Sequence, residues 1–120
     1  MNILIVDDSK VSRSILRELL EPLGYKVVAE AVNGEDGIEK FKKFKPDLII
    51  SDIEMPVMDG IKMSSIISEH NTLVKIIVIS SVVNKKITQK ALLHGASIVL
   101  TKPIEEAQLI EAINGDDKCK

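Results

Sequence analysis

Polar residues whose side chains could take part in a reaction or bind a ligand follow four of the short apolar runs in this sequence. Asp7 and Asp8 follow the first run, Asp52 follows the third, Ser80 the fourth and Lys102 the fifth. In an open α/β sheet the carboxyl ends of the strands meet at one edge, and ligands bind in the crevice beyond it. We therefore expect three carboxylates, a hydroxyl and an ammonium group to converge there.

Convergent carboxylates require a cation among them. Two carboxylates about 5 Å apart repel by roughly 3 kcal/mol at an effective dielectric of 20. Lys102 supplies one positive charge, and a divalent metal ion would supply two. Oxygen ligands without nearby His or Cys favour a hard ion, Mg²⁺, with Mn²⁺ or Ca²⁺ as substitutes. Mg²⁺ commonly shares its coordination with phosphate, and a carboxylate can act as a nucleophile, so phosphoryl transfer onto an aspartate is the predicted chemistry.

The apolar runs that carry these residues predict the strands of a parallel sheet. They are short, mostly β-branched and nearly continuous, which is typical of strands buried on both faces. The runs are Ile3–Val6, Val27–Ala29, Leu48–Ile50, Ile76–Ile79 and Ile98–Leu100. Segments of helical period separate them, the first marked by Val11, Ile15 and Leu19 at four-residue steps with Leu16, Leu20 and Leu23 alongside. This pattern predicts an α/β fold of five βα units, a doubly wound sheet covered by helices on both faces.

Residues typical of helix ends stand at the expected boundaries of the helical segments. The expected helix N-caps are Ser9, Asn33, Asp59 and Asn84. Gly24 and Gly95 stand where left-handed residues end helices, and Pro103 is expected in the first turn of the last helix.

Length and composition limit the classes of protein that this chain can represent. With 120 residues, 45% of them hydrophobic, it should form a single domain over residues 1–120, with a frayed tail at 115–120. A net charge of −2 and 2% aromatic residues argue against direct nucleic-acid binding. The N-terminus lacks the features of a signal peptide, and no apolar stretch approaches a membrane span. With one cysteine, Cys119, a cytoplasmic location is expected.

Four motifs together resemble the receiver domain of two-component response regulators. They are Ile-Val-Asp-Asp-Ser at 5–9, Ser-Asp-Ile-Glu-Met-Pro-Val-Met-Asp-Gly at 51–60, Ile-Ser-Ser at 79–81 and Thr-Lys-Pro at 101–103. The similarity spans residue 2 to about residue 114. It implies a flavodoxin-like three-layer sandwich with sheet order 2-1-3-4-5.

The resemblance also implies a role for each site residue. Asp52 would accept a phosphoryl group from the phosphohistidine of a sensor histidine kinase or phosphotransfer protein. Asp7, Asp8, Asp52 and the backbone carbonyl of Glu54 would hold Mg²⁺. Ser80 would be the switch hydroxyl and Lys102 the phosphate-binding lysine, followed by a cis bond to Pro103.

As a class, such a protein is a stoichiometric phosphoacceptor with slow autodephosphorylation rather than an enzyme. It acts as a monomer or weak dimer and changes its affinity for a downstream protein through the face of the fourth helix, fifth strand and fifth helix. Stand-alone regulators of chemotaxis or phosphorelays fit the length of this chain.

Two positions depart from the commonest pattern of that family. Val99 stands where a Tyr or Phe often couples to the switch hydroxyl, and Ile104 stands where Phe often follows the proline. The aromatic half of the switch therefore cannot operate at residue 99. Glu54, two residues after the acceptor, lies where hydrolytic water would approach, so we hypothesise that its charge alters the lifetime of the phosphorylated form.

Several alternatives stay open at the level of sequence. Ser81 could replace Ser80, and the chain could be a receiver excised from a longer regulator, such as a transcription factor, or a degenerate scaffold. A phosphatase of the haloacid-dehalogenase type also uses an Asp nucleophile, a Ser or Thr, a Lys and acidic metal ligands, but in a different chain order. A nucleotide- or flavin-binding domain would need a P-loop or a Gly-x-Gly-x-x-Gly turn, and neither is present.

Overall fold

Strands and helices alternate along the chain in a computed structural model that describes residues 1–71 and 73–115. The strands are β1 (Asn2–Val6), β2 (Lys26–Ala31), β3 (Leu48–Asp52), β4 (Lys75–Ser80) and β5 (Ile98–Thr101). The helices are α1 (Lys10–Leu20), α2 (Gly34–Phe44), α3 (Gly60–His70), α4 (Lys85–Leu93) and α5 (Glu106–Asn114), with a 3₁₀ turn at Glu21–Leu23. All strand pairs are parallel, in the order β2-β1-β3-β4-β5, so the predicted fold and strand order are confirmed.

Alternating side chains of the central strands feed two hydrophobic cores, one on each face of the sheet. One core joins Leu4, Val6 and the matching residues of β3 and β4 to α2, α3 and α4. The other joins Ile3, Ile5 and their neighbours to α1 and α5. This period of two explains why the runs are apolar throughout, since each residue enters one core or the other. Burial on both faces holds the central strands, and therefore their polar ends, in place.

The predicted helix starts agree with the structure at four helices. Side chains of Ser9, Asn33, Asp59 and Asn84 each accept a hydrogen bond from a backbone N–H of the first turn. Gly24 and Gly95 have φ of 92° and 106°, the left-handed conformation expected of them. The prediction for Pro103 was wrong: α5 begins at Glu106, and its first bond runs from the Leu109 N–H to the Glu105 carbonyl.

Helix α1 turns a different side toward the sheet from the one that its four-residue repeat indicated. Leu16 and Leu20 are buried, whereas Val11 and Ile15 are 69% and 51% exposed. The stripe of Val11 and Ile15 and the stripe of Leu16 and Leu20 are both apolar, so periodicity alone does not predict which of them is buried. The stripe of Leu16 and Leu20 belongs to the core that also contains Ile3 and Ile5 of β1 and Leu109 of α5.

Strand β5 is the least protected strand of the sheet. It has four residues, pairs only with β4 among the described strands, and its side chains are half-buried or exposed. Val99 packs at the margin of the core on the α4 side.

At the start of β4, the Lys75 ammonium donates to the carbonyls of Ile113 and Gly115 and fixes the end of α5.

Among the helices described, none combines the length and the apolar character needed to cross a lipid bilayer. The frayed tail expected at 115–120 falls, from residue 116 onward, outside the described residues, and Cys119 with it.

The loop between β3 and α3 contains a strained turn. Val57 has φ of 70° and is 74% exposed, and the Met58 N–H donates to the Pro56 carbonyl at 2.7 Å. A hydrogen bond that spans three residues around a positive φ defines a γ-turn of the rare, strained type. A β-branched side chain makes this conformation especially unfavourable.

We expect Val57→Gly to raise the free energy of unfolding by about 1 kcal/mol, because glycine adopts a left-handed φ without the steric cost. Val82→Gly is the matched control: this valine is also exposed in a loop, at 59%, and its φ is not positive. Urea unfolding should show a higher midpoint for Val57→Gly alone, with an unchanged denaturant slope. Equal shifts in both variants would contradict strain at Val57.

Candidate functional site

Three carboxylates meet at the carboxyl edge of the sheet. Oxygen atoms of Asp7, Asp8 and Asp52 all lie within 4.8 Å of one another. Asp7 and Asp52 are buried, and Asp8 is exposed. They come from the end of β1 and the last residue of β3, neighbouring strands whose register sets Val6 beside Ser51. The sequence-predicted acidic cluster therefore exists as a compact group.

The loop after β1 holds Asp7 from several directions. The Ser9 N–H donates to Asp7 Oδ1 at 2.9 Å, and the Asp7 N–H donates to the Ala31 carbonyl at 3.0 Å. The Arg13 guanidinium donates to the Asp7 carbonyl oxygen at 2.7 Å and to Glu30 Oε1 at 2.9 Å. Since Glu30 belongs to β2, these bonds tie the start of α1 to the sheet edge and fix the direction of the Asp7 side chain.

A close backbone approach positions Asp52. A Cβ atom on Gly60 would lie 2.2 Å from the Asp52 carbonyl oxygen, so only glycine fits at the start of α3. The Gly60 N–H donates to the Ile53 carbonyl at 2.8 Å and closes the loop. The Ile53 N–H in turn donates to Asp52 Oδ1 at 3.0 Å. The motif that ends in Asp59-Gly60 thus serves to fold the loop tightly against the acceptor candidate.

Lys102 reaches into the acidic group from the residue after β5. Its ammonium nitrogen lies 3.4 Å from Asp52 Oδ1 and 3.9 Å from Asp7 Oδ2. About a third of the lysine side chain is exposed, so it can shift toward an incoming anion. The Lys102–Pro103 bond is cis, as the resemblance implied.

One ammonium does not neutralise this cluster, and the pKa values show it. Burial, together with the negative charge of Asp7, raises the pKa of Asp52 to about 6 despite the attraction of Lys102. Burial also raises the pKa of Asp7, although the Ser9 N–H and Lys102 favour its ionised form. Burial therefore disfavours the ionised form of both carboxyls, and the Lys102 ammonium offsets this only in part.

The donor set fits a hard divalent cation. Asp7, Asp8 and Asp52 offer carboxylate oxygens within reach of one ion, and a cation bound there would favour the ionised forms that burial of Asp7 and Asp52 disfavours. The described residues give no nitrogen or sulfur ligand to this group. The metal roles assigned to these aspartates and to the Glu54 carbonyl remain predictions from the resemblance.

Ser80 and Ser81 differ in a way that separates the two candidates for the hydroxyl. Ser80 is the last residue of β4 and fully buried, whereas Ser81 is exposed in the loop. The Ser80 hydroxyl donates toward the Glu54 carboxylate, with Oε2 at 2.8 Å and Oε1 at 3.0 Å. The Lys102 N–H donates to the Ser80 carbonyl at 3.0 Å, so the strand ends that carry the two residues are joined directly.

Two contacts of the site were not identified from the sequence: the bond from Arg13 to the Asp7 main chain, and the contact of the Glu54 side chain with Ser80. Arg13 supports Asp7 through its main chain, and the only signal was its spacing of four residues from the N-cap Ser9. The Glu54 side chain contacts Ser80 across two loops, and no local pattern indicates that contact.

A groove of about 380 Å³ opens beside the cluster, between α1 and the loop after β5. Its walls are mainly apolar, and Asp7 and Lys102 stand at one end of it. The outward-facing Ile15 of α1 and Ile104 line its sides. The acidic site is thus accessible from an apolar surface rather than enclosed.

Comparisons with known proteins agree with this geometry. The family model of the response regulator receiver domain matches residues 3–114. The chain is 37% identical over 112 residues to the chemotaxis protein CheY of Thermotoga maritima, and the match covers 93% of each chain. It is 43% identical over 102 residues to protein-glutamate methylesterase/protein-glutamine glutaminase 2 of Methanosarcina mazei, covering 83% of this chain and 28% of that protein.

The fold also closely resembles that of a solved structure. The CheX–CheY–BeF₃–Mg²⁺ complex from Borrelia burgdorferi superposes with a TM-score of 0.90 at 30% identity, covering 94% of this chain and 86% of that one. With the fold, the site geometry and these similarities in agreement, this chain belongs to the response regulator receiver domain family of two-component systems, among its CheY-like members.

Proposed function

We propose that this chain takes a phosphoryl group onto Asp52 from a phosphohistidine and thereby changes its affinity for a downstream protein. The observation that carries the proposal is the grouping of a buried Asp52 with two further carboxylates, the Lys102 ammonium and the buried Ser80 hydroxyl. Phosphoryl transfer depends chiefly on positioning and on neutralising charge on the phosphoryl oxygens, which this set supplies.

The contacts of Asp52 favour one of its oxygens as the nucleophile. Oδ1 accepts a hydrogen bond from the Ile53 N–H and lies next to Lys102, which leaves Oδ2 for attack. As Oδ2 forms its bond to phosphorus, the bond from phosphorus to the imidazole nitrogen breaks and its electron pair stays on that nitrogen. A donor ring that is protonated on its other nitrogen then leaves as neutral histidine. Lys102 then stands beside a phosphoryl oxygen.

A bound Mg²⁺ would neutralise the clustered carboxylates and the phosphoryl oxygens. Asp7, Asp8 and Asp52 would hold it with the Glu54 carbonyl. The bonds from Ser9 and Arg13 keep Asp7 directed at that position before any ion arrives.

Phosphorylation adds about −1.5 to −2 charges next to Lys102 and Ser80. We expect the loop after β4 to move toward the new oxygens and to bias the face formed by α4, β5 and α5. Helix α4 of that face carries exposed apolar side chains, with Leu93 82% and Leu92 46% exposed, as well as exposed lysines. A protein partner is the occupant that suits this mixture, and no nucleic-acid contact is proposed.

In this proposal the chain acts as a stoichiometric phosphoacceptor in the cytoplasm, with a histidine kinase or phosphotransfer protein as donor. A second candidate is the same receiver acting within a longer regulator, which the match to 28% of the Methanosarcina protein favours. Both share one phosphorylation chemistry and differ in what responds to it.

Treatment with acetyl phosphate and Mg²⁺ should add one phosphoryl group, about 80 Da, to the chain, because Asp52 is the positioned nucleophile. Asp52→Asn should abolish the added mass in intact-protein mass spectrometry. Asp47→Asn serves as the control, since Asp47 is an exposed aspartate at the opposite end of β3. Equal labelling of Asp52→Asn, or catalytic turnover of a phosphomonoester, would contradict the proposal.

Asp52 should also make folding stability depend on pH. Its pKa rises from 3.8 to about 6 on folding, so its stabilising contribution is complete below pH 3.8 and is lost as the pH rises through about 6. Without metal, Asp52→Asn should therefore exceed the parent in stability above pH 6, by up to roughly 3 kcal/mol. The two should converge near pH 4.

Urea unfolding in EDTA at several pH values measures this difference. Glu39→Gln is the control, because Glu39 is exposed on α2. Mg²⁺ should stabilise the parent far more than Asp52→Asn. If the difference in unfolding free energy between Asp52→Asn and the parent stayed constant from pH 4 to pH 8, Asp52 would not be held in an unfavourable charged state.

A further inference from the structure

The hydroxyl of Ser80 is already engaged by an acidic side chain. Glu54 Oε2 and Oε1 lie 2.8 and 3.0 Å from Ser80 Oγ, and Ser80 is fully buried. Glu54 lies in the loop after β3, and Ser80 is the last residue of β4. This contact therefore links the loop that follows the proposed phosphoacceptor to the residue from which the loop expected to move begins.

The Ser80 hydroxyl has more than one possible acceptor but only one proton to donate. Besides Glu54, the Val82 carbonyl lies 3.0 Å from Ser80 Oγ, and the Val82 N–H donates to Ser80 Oγ at 3.1 Å. Hydrogen bonds to ionised acceptors are roughly twice as strong as neutral ones, so the proton goes to the carboxylate rather than to the carbonyl.

The phosphorylated state demands the same proton. This step rests on the proposed function, in which Ser80 donates to a phosphoryl oxygen on Asp52. Because the hydroxyl cannot donate fully to two acceptors, it must release Glu54 first. The carboxylate and the phosphoryl group are competing anions for one donor.

We propose that Glu54 is a positioning residue that holds the Ser80 hydroxyl in the unphosphorylated state and competes with the phosphoryl group for it. The Glu54 residue is exposed, so its carboxylate can swing into water once the hydroxyl leaves. Repulsion between Glu54 and the phosphoryl charge acts in the same direction. Glu54 thereby sets how readily the chain passes from one state to the other.

Coupling through Ser80 can be separated from simple repulsion by a double-mutant cycle. The probe is beryllium fluoride with Mg²⁺, a mimic of the phosphoryl group, and its affinity for each protein is measured by isothermal titration calorimetry. The proteins are the parent, Glu54→Ala, Ser80→Ala and the double variant. Glu39→Ala removes the same charge from an exposed position on α2.

We expect Glu54→Ala to bind the probe about fivefold more tightly than the parent, because the substitution removes one competing charge-assisted hydrogen bond to Ser80. In the Ser80→Ala background the same substitution should change the affinity by about twofold or less, since only repulsion remains. Glu54→Gln keeps an acceptor but loses the charge and should fall between the parent and Glu54→Ala. Glu39→Ala should match the parent.

An equal gain with and without Ser80 would overturn the inference, because Glu54 would then act by charge alone. So would an affinity unchanged by Glu54→Ala. Neither result touches the proposed function, which fails instead if the parent binds no beryllium fluoride or if Asp52→Asn binds it as well as the parent.

The structural counterpart of this cycle is read in the protein without ligand. The amide signal of Val82 should shift in the NMR spectrum of Glu54→Ala, because the Ser80 hydroxyl then turns toward the Val82 carbonyl. It should change little in Glu39→Ala. Identical Val82 signals in the parent and Glu54→Ala would show that the carboxylate does not hold the hydroxyl in solution.

Discussion

Burial of the Asp7 and Asp52 carboxylates side by side is the constraint around which the rest of this molecule is organised. Loss of solvation, followed by the negative charge of Asp7, raises the pKa of Asp52 to about 6, and the attraction of Lys102 does not offset these two effects. Such a pair persists only where the surrounding fold holds it firmly. Two hydrophobic cores, one on each side of β1 and β3, supply that support.

The unfavourable arrangement also suits the site to a cation. A divalent cation held by Asp7, Asp8 and Asp52 would supply positive charge that Lys102 alone does not, so its binding would relieve part of the electrostatic cost that folding imposes. The tight packing of Gly60 against the Asp52 carbonyl and the bond from Arg13 to the Asp7 carbonyl keep the carboxylates from relaxing apart. The same packing therefore keeps the strand ends rigid and holds the Asp52 carboxylate close to those of Asp7 and Asp8.

The sequence predicts the fold and the residues at the strand ends because both depend on local patterns. Apolar runs specify the strands, and the polar residue after each run must lie at one edge of the sheet, so Asp52 and Ser80 are placed without a structure. Helix α1 shows where this logic ends. It carries two apolar stripes, and only the tertiary packing decides that Leu16 is buried while Ile15 is exposed.

Contacts between distant side chains are the other limit on prediction from sequence. The bond from Ser80 to Glu54 joins residues 26 positions apart, and it depends on loop paths and rotamers that no spacing encodes. Pro103 was misplaced for a related reason: helix signals near α5 do not reveal how long the preceding loop is. Local chemistry identified the participants, but the tertiary structure determined their partners.

The partial burial of β5 has a consequence for where this protein opens most easily. Opening free energies are lowest where few apolar contacts and exposed backbone bonds coincide. A four-residue edge strand meets that description, whereas β1, β3 and β4 are enclosed by both cores. Amide protons of β5 should exchange with deuterated solvent through local excursions long before those of the sheet centre. The face proposed to respond to phosphorylation would therefore include the strand of the sheet that opens most readily.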